Sequence, residues 1–315
     1  MKVVATQAVD EAALRAAVPG VDIVLAGGED LPEAAMDADA LIGWLNRSSL
    51  LALLESSKTL KWIHLSSAGV DGVLCPELIR SDVMLTCAKG DPVGPLLAEH
   101  AFALALSLSR GIHFYAREKG WTRGGEAGRK LHELGGKTMG IVGYGGVGKA
   151  LVPRARGFGM EVIAVRRNPD LEPSGDVDVW GTDRFHEMLS LSDVVVVTVP
   201  GTPETDGMFD REAFRRMRSN STLVTVGRGK TVDTDALVWA LEEEEISGAG
   251  LDVVDPEPLP DDHPLWTMPN VIITPHVAGD APEREPRNRD LVAENLRRLD
   301  SGEPLVSMVD KEAGY

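Results

Sequence analysis

Thr138-Met-Gly-Ile-Val-Gly-Tyr-Gly-Gly-Val-Gly-Lys-Ala150 decides how the rest of this chain is read. An apolar strand, Met139 to Val142, runs directly into Gly143-x-Gly145-x-x-Gly148, and a helix-capable segment follows. The glycines serve different physical ends. Gly143 permits a tight turn, Gly145 lets backbone approach a pyrophosphate, and Gly148 lets helix pack closely on strand. A helix beginning at Gly146, Val147 and Gly148 offers unpaired N–H groups and a positive dipole end to phosphate oxygens. A second strand, Glu161 to Val165, follows at the spacing of a βαβ unit. The stretch therefore predicts a dinucleotide site.

The end of that second strand selects between dinucleotides. NAD-binding units place an Asp or Glu about 20 residues on, where it takes the ribose 2′-hydroxyl. This chain has Arg166-Arg167-Asn168 there. Guanidinium groups suit a 2′-phosphate through charge-assisted, paired hydrogen bonds. The expectation is NADPH in preference to NADH, with NAD(H) still accepted.

The βα rhythm extends on both sides. Before the glycine loop, Met1 to Ala5, Val21 to Leu25, Ala40 to Gly43, Trp62 to Leu65 and Val83 to Thr86 read as strands, and Leu50 to Leu54 as helical. A long apolar helix is predicted from about Leu97 to Lys119, then a loop rich in glycine and charge from Gly120 to Gly136. After it, Val194 to Val199, Ser221 to Val226, Gly248 to Asp252 and Asn270 to Thr274 read as strands, and Asn288 to Leu299 as a final helix. Strands alternating with helices give an α/β fold with parallel sheets covered on both faces. Unbroken runs such as Val194 to Val197 suit strands buried on both sides.

Composition narrows the function classes. The 315 residues are 43% apolar, enough for two domains with real cores. The formal net charge of −17 argues against a nucleic-acid surface, which needs clustered Lys and Arg. An anionic substrate must then be drawn in by local positive charge. No apolar run reaches membrane-spanning length, and the N-terminus lacks a signal-peptide pattern, so a cytoplasmic protein without membrane contact is expected. Cys75 and Cys87 fit reduced thiols without an assigned role, and no Cys/His spacing suggests a metal. The acidic run Glu242 to Glu245 reads as a solvated helix face.

Three segments that follow strands supply reactive side chains: Thr225-Val-Gly-Arg-Gly229, Leu251-Asp-Val-Val-Asp-Pro-Glu-Pro258 and Thr274-Pro-His-Val-Ala-Gly279. In open parallel sheets the ligand crevice lies beyond the carboxyl ends of the strands. Reduction of a 2-keto acid calls for this trio. Arg228 anchors the carboxylate and polarises the carbonyl. His276 donates a proton to the developing alkoxide, and Glu257 orients the imidazole and stabilises its charged form. Singly, each residue reads as an ordinary turn charge, loop acid or loop histidine. Together, in this order after a dinucleotide fingerprint, they read as chemistry.

With these motifs the chain resembles the NAD(P)-dependent D-isomer-specific 2-hydroxyacid dehydrogenases. The similarity runs from Leu60-Lys-Trp-Ile-His-Leu-Ser-Ser-Ala-Gly-Val-Asp71 to Ala293-Glu-Asn-Leu-Arg-Arg-Leu299, through Gly227-Arg-Gly229 with Val232-Asp233, Asp252…Pro256-Glu257-Pro258 and Thr274-Pro-His276. The resemblance implies that Arg228, Glu257 and His276 are catalytic. It implies that Ala68, Gly69 and Val70, with Arg228, bind the substrate carboxylate. Asp252 would hold the nicotinamide amide, and Val199, Pro200 and Val226 would pass beside the cofactor. It also implies two Rossmann-like domains, a flavodoxin-like substrate domain of residues 1–100 plus 287–315 and a dinucleotide-binding domain of residues 101–286 inserted into it. A homodimer through the cofactor domain follows, with an arm around Trp121 toward the partner.

Arg166 places the chain with the NADPH-preferring branch that includes glyoxylate and hydroxypyruvate reductases. Glu257 argues against a formate dehydrogenase, which has Gln there, and no further regulatory domain of the long phosphoglycerate dehydrogenases is expected. Thr225 stands where the family commonly has Asn, so the strand-end hydrogen bond is expected to differ. The rival reading is a cofactor-sensing binding protein on the same fold, related to dehydrogenase-like corepressors. A dehydrogenase of a phosphorylated or inorganic acid would need basic residues in Ser66 to Val73, which has none.

Overall fold

The computed structural model describes residues 1–121, 131–171, 175 and 177–315. The chain forms two compact units, Met1–Val93 with Ala281–Tyr315, and Gly94–Asp280. The first unit holds a parallel five-stranded sheet in the order β2-β1-β3-β4-β5, with β1 (Lys2–Ala5), β2 (Asp22–Leu25), β3 (Ala40–Gly43), β4 (Trp62–Leu65) and β5 (Met84–Cys87). This is the flavodoxin-like strand order. The central strands β3 and β4 are buried along their whole length, with His64 as the one polar side chain among their apolar ones.

The two faces of this sheet build separate cores. Val4, Leu41, Ile63 and Leu85 pack on one side with Leu50, Leu53 and Leu78. Val3, Ile42 and Trp62 pack on the other with Leu14 and with Val292 and Leu296 of the helix Arg284–Ser301. The last segment of the chain is thus part of this unit's core. Its ties extend further: Met308 bridges Thr86, Lys89 Nζ donates to the Met308 carbonyl at 2.8 Å, and Lys311 Nζ donates to the carbonyls of Leu78, Ser81 and Val83.

The second unit is a seven-stranded parallel sheet in the order β12-β11-β10-β9-β6-β7-β8. Its strands are β6 (Thr138–Val142), β7 (Glu161–Val165), β8 (Asp178–Trp180), β9 (Val194–Val197), β10 (Thr222–Thr225), β11 (Gly248–Leu251) and β12 (Val271–Ile273). The order reverses between β6 and β9, which makes the carboxyl ends of these two strands the topological switch point where ligands bind in such sheets. Register aligns Val142 with Val197, Val197 with Thr225, Thr225 with Leu251 and Leu251 with Ile273. The residues after all five strands therefore emerge at one end of the sheet.

Several elements differ from the sequence reading. The helix expected over Leu97 to Lys119 spans Gly94–Ser109 and breaks at Gly111, whose φ of +63° is left-handed, before a single turn at Ile112–Tyr115. The helix starts at Gly94, where a Cβ would meet the Gly146 carbonyl at 3.1 Å. The unit boundaries accordingly fall at 93/94 and 280/281, where the sequence reading placed cuts after 100 and 286. Glu242–Glu245 is no helix face: the helix ends at Glu242, and Glu244 turns the chain at φ +56°. The edge strand β8 was not expected at all. The arm following Trp121 falls largely on residues 122–130, outside the described residues.

Candidate active site

The glycine loop takes the form its sequence dictates. Gly143 has φ +104°, and a Cβ there would press on Thr198 and Val199 at about 3.0 Å. Thr198 Oγ1 donates to the Gly143 carbonyl at 2.7 Å, fastening the loop after β6 to the segment Val199-Pro200 after β9. A Cβ on Gly148 would collide with the Gly143 carbonyl, whereas one on Gly145 would meet nothing within 4 Å. The helix Gly146–Gly157 has no side-chain cap. Among the described residues the N–H groups of Gly146, Val147 and Gly148 have no acceptor. A 12-residue helix with an open, uncapped glycine N-terminus at a switch point fits a pyrophosphate.

Beyond β7, Arg166 is half-buried and its Nε donates to the Asn168 carbonyl at 2.7 Å, while Arg167 is exposed. The Glu204 carboxyl, in the loop after β9, lies below its ordinary range because of the Thr202 hydrogen bond and its own backbone N–H, with a smaller contribution from the Arg167 charge. Arg167 thus reaches toward the β9 loop. No acid stands at the end of β7 itself, where Arg166, Arg167 and Asn168 follow Val165.

The strand ends beyond β10, β11 and β12 carry the reactive trio. Arg228 follows Val226-Gly227, with Nη1 donating to the Gly227 carbonyl at 2.9 Å and its Cγ 3.3 Å from where a Gly201 Cβ would stand. The flanking glycines are sterically required, since a Cβ on Gly229 would overlap the Val254 carbonyl. His276 has φ +55°, a conformation costly for a residue with a Cβ and a recurrent mark of functional strain. Its Nδ1 lies 2.6 Å from Glu257 Oε1, with both side chains partly exposed. The expected Glu–His pair is present.

Asp252 shows what holds His276 in that conformation. It is buried and accepts from the Thr274 hydroxyl at 2.6 Å and the Val277 N–H at 3.0 Å through Oδ1, and from the Ala278 N–H at 3.0 Å through Oδ2. Its carbonyl accepts from the His276 N–H at 2.9 Å. His100, on the helix Gly94–Ser109, bonds the Thr274 hydroxyl at 2.8 Å and lies 3.4 Å from Asp252 Oδ1. Sequence reading gave Asp252 a nicotinamide contact and overlooked His100; both visibly fix the turn that presents His276. Thr225, where Asn was expected, is buried and its Oγ1 has no partner among the described residues.

The remaining predicted residues, Ala68, Gly69 and Val70, lie in the first unit, in the loop after β4. Every carbonyl of this loop is taken. Arg284 Nη2 donates to Ser66 O, Ala88 N to Ser67 O at 3.0 Å, the Cys87 thiol to Ala68 O at 3.2 Å, Ser67 Oγ to Gly69 O at 2.7 Å, and the Val73 and Leu74 N–H groups to Val70 O. The N–H groups of Ser67, Ala68, Gly69 and Val70 have no acceptor among the described residues. Four successive donors with their carbonyls tied back are suited to receiving an anion, as backbone nests do. Cys87, given no role from sequence, is one of the ties.

Beneath this loop runs a buried chain of four side chains. Trp62 Nε1 donates to Thr86 Oγ1 at 2.8 Å; Thr86 Oγ1 pairs with His64 Nδ1 at 2.8 Å; His64 Nε2 pairs with Asn288 Oδ1 at 3.0 Å. Because Asn288 Oδ1 only accepts, Nε2 carries the proton and the Thr86 hydroxyl donates to Nδ1. Burial holds His64 down at about 4, against the opposing hydrogen bond to Asn288.

A doubly wound dinucleotide-binding unit that carries an Arg and a Glu–His pair at its strand ends defines the class as a nucleotide-dependent oxidoreductase. The chain belongs to the D-isomer-specific 2-hydroxyacid dehydrogenases: residues 102–278, more than half of it, match the family's NAD-binding domain. It is 34% identical to a glyoxylate reductase from Pyrococcus furiosus over 90% of this chain and 86% of that one. A D-isomer-specific 2-hydroxyacid dehydrogenase from Xanthobacter autotrophicus Py2, solved with NADPH and MES, superposes with a TM-score of 0.84 at 28% identity, covering 100% and 99% of the two chains. An NADPH-dependent glyoxylate/hydroxypyruvate reductase from Sinorhizobium meliloti, in complex with NADP and sulfate, gives 0.82 at 26% identity over 100% and 99%. The chain is an NAD(P)-dependent 2-hydroxyacid dehydrogenase built from two Rossmann-like units. Among the described residues no metal-binding cluster occurs, and no helix is long and apolar enough to cross a membrane.

Proposed function

We propose that this protein reduces a small 2-keto acid of the glyoxylate or hydroxypyruvate type to the D-2-hydroxy acid, with NADPH as the preferred cofactor. The observation that carries the substrate class is the Ser67–Val70 nest, whose carbonyls are all occupied and whose N–H groups are all available. Such a loop receives a carboxylate without contributing a charge of its own. The kinship with glyoxylate reductases supports a short substrate.

The dinucleotide would rest on Gly143, Gly145, Gly146, Val147 and Gly148, beside Val199, Pro200, Val226 and Asp252, with Arg166 and Arg167 facing the 2′-phosphate. It supplies the hydride. The Ala68, Gly69 and Val70 N–H groups hold the carboxylate, and the Arg228 guanidinium pairs with the carboxylate and the carbonyl oxygen, where charge develops. Glu257 accepts from Nδ1 of His276, so Nε2–H of the imidazolium is the proton given to the alkoxide, which leaves the neutral Nδ1–H tautomer. A homodimer through the second unit belongs to the same proposal. Ile112, Trp121 and Leu131, which flank residues 122–130, are exposed apolar side chains.

The test is a panel of 2-keto acids, each assayed with NADPH and NADH, with the configuration of the product determined. The highest kcat/KM is expected for glyoxylate and hydroxypyruvate with NADPH. Preference for a long or branched acid, for NADH, or formation of the L-product would refute the respective part.

A further inference from the structure

Four side chains of the first unit meet at the carboxyl ends of β1, β3 and β4, beside the anion nest and outside the roles assigned above. They are Gln7, Trp44, Ser66 and Arg284.

Trp44 follows β3 and is 55% exposed. Its backbone is nevertheless pinned. Its N–H donates to Thr6 Oγ1 at 2.8 Å, and the same hydroxyl donates to its carbonyl at 2.9 Å. This pair of bonds to one hydroxyl requires Thr6 to approach Gly43 so closely that no side chain fits there, and Gly43 has φ +134°. Two residues on, Asn46 caps the helix Arg47–Ser56 by accepting the Ser49 N–H at 2.8 Å. An indole left in solvent on a backbone fixed at both sides is held in place for contact. The Arg284 guanidinium lies 5.7 Å from the centre of its ring and donates through Nη2 to the Ser66 carbonyl.

Gln7 and Ser66 supply the polar part. Gln7 Nε2 donates to Ser66 Oγ at 3.0 Å. Gln7 Oε1 then accepts nothing, and the Ser66 hydroxyl hydrogen is spent on no acceptor, among the described residues. Ser66 is itself 3% exposed. The amide's second N–H and the Ser66 hydroxyl hydrogen, as donors, and Oε1, as acceptor, are left side by side. If the amide is turned over, the Ser66 hydroxyl donates to Oε1, and both Nε2 hydrogens and a Ser66 lone pair remain, so donors again stand beside an acceptor. That pairing matches an alcohol, which donates once and accepts at the same oxygen. A methyl group would leave these groups unpaired.

We propose that Gln7 and Ser66, walled by the Trp44 ring and Arg284, read a hydroxyl on C3 of the substrate, so that the preferred substrates are 3-hydroxy-2-keto acids. The inference rests on the reading of the protein as a 2-keto acid reductase. Ser66 directly precedes the nest, so a substrate whose carboxylate lies on the Ser67–Val70 N–H groups presents its neighbouring carbons to this wall. The indole covers the C3 methylene, and the donor–acceptor pair takes the oxygen.

The readout is the ratio of kcat/KM for hydroxypyruvate to that for pyruvate, which differ only by this hydroxyl. Sites that hydrogen-bond a substrate hydroxyl discriminate strongly against analogues lacking it, and one unpaired buried group alone accounts for roughly 10–100-fold. The native protein is expected to favour hydroxypyruvate by about 100-fold, and Gln7→Met and Ser66→Ala each to lower the ratio at least about 10-fold with a native-like melting temperature. The ratio is independent of any general loss of activity, so a partly damaged fold does not mimic the result. A native ratio near one, or a ratio that both variants leave unchanged, overturns this inference and leaves the reductase reading intact. Failure of the native protein to turn over any 2-keto acid with either cofactor overturns both.

Discussion

His64 makes the first unit sensitive to acid in a defined window. It sits in the middle of β4, fully buried, as a neutral imidazole between Thr86 and Asn288, and its burial holds it at about 4 instead of 6.5. Between these values the unfolded chain binds a proton that the folded chain refuses, so stability rises with pH there. The contribution is fully present above pH 6.5 and is lost as pH falls toward 4. A histidine held down this far is worth about 3 kcal/mol, a large share of the stability of a domain. Other shifted groups titrate elsewhere: Glu294 and Glu303, held at about 2 by hydrogen bonds chiefly from Arg297, lose their contribution only below their unfolded value of 4.5. The assay is urea unfolding between pH 7 and about pH 4.5, comparing the native chain with His64→Gln. Glutamine can donate to Asn288 and accept from Thr86 but has no proton to gain. The native chain should lose about 2 kcal/mol relative to the variant as pH falls across this range. Parallel pH profiles for the two proteins, or an imidazole titrating at or above 6 in the folded state, would refute the reasoning.

His276→Gln should lower kcat by about 10²–10⁴-fold with little change in dinucleotide affinity, measured by steady-state kinetics and cofactor titration, because the proton donor is lost while the phosphate site is untouched. Near-normal turnover would remove His276 from proton transfer. Arg166→Asp should abolish or reverse a preference for NADPH while sparing kcat with NADH; the loss of a charge-assisted bond or two at ~1.5–3 kcal/mol each alters the kcat/KM ratio by one to several powers of ten. Equal efficiencies with both cofactors in the native protein would return the arginines to surface charges. Thr225→Val replaces an unpartnered buried hydroxyl with a methyl group beside Val197 and Leu251, and should raise the stability or leave it unchanged, by up to about 1 kcal/mol in denaturant melts. A clear loss would show that the hydroxyl has a partner in solution.

Much of this architecture is written locally. The glycine fingerprint, the valine runs and the strand-end trio each declare themselves within a few residues, because turn geometry and two-sided burial constrain neighbouring positions. What stayed hidden depends on distant partners. His64 looks like any histidine in an apolar strand until Asn288 arrives, 224 residues later. Asp252 was visible as a strand-end acid, but its three donors come from Thr274 to Ala278, and His100 joins them from another element. β8 escaped notice because Asp178-Val-Trp180 is too short and too half-buried to show a pattern. The overlong helix was misread because Leu97 to Ser109 and Ile112 to Tyr115 share apolar character, and only the handedness of Gly111 separates them.

The shared ownership of the first unit has a consequence for biosynthesis. The ribosome delivers residues 94–280 as one uninterrupted stretch, so the dinucleotide unit has its whole sheet in hand while translation continues. The first unit emerges earlier yet waits longer. Val292 and Leu296, the Asn288 partner of His64, the Arg284 tie on Ser66 and the Met308 bridge to β5 all come from the last segment. Until then one face of its sheet lacks its covering helix, and the loop after β4 lacks an anchor. A nascent chain therefore completes its dinucleotide-binding unit before the unit that emerged first. Stalling or a frameshift beyond residue 280 would release a molecule with a complete dinucleotide-binding unit and an exposed, adhesive sheet.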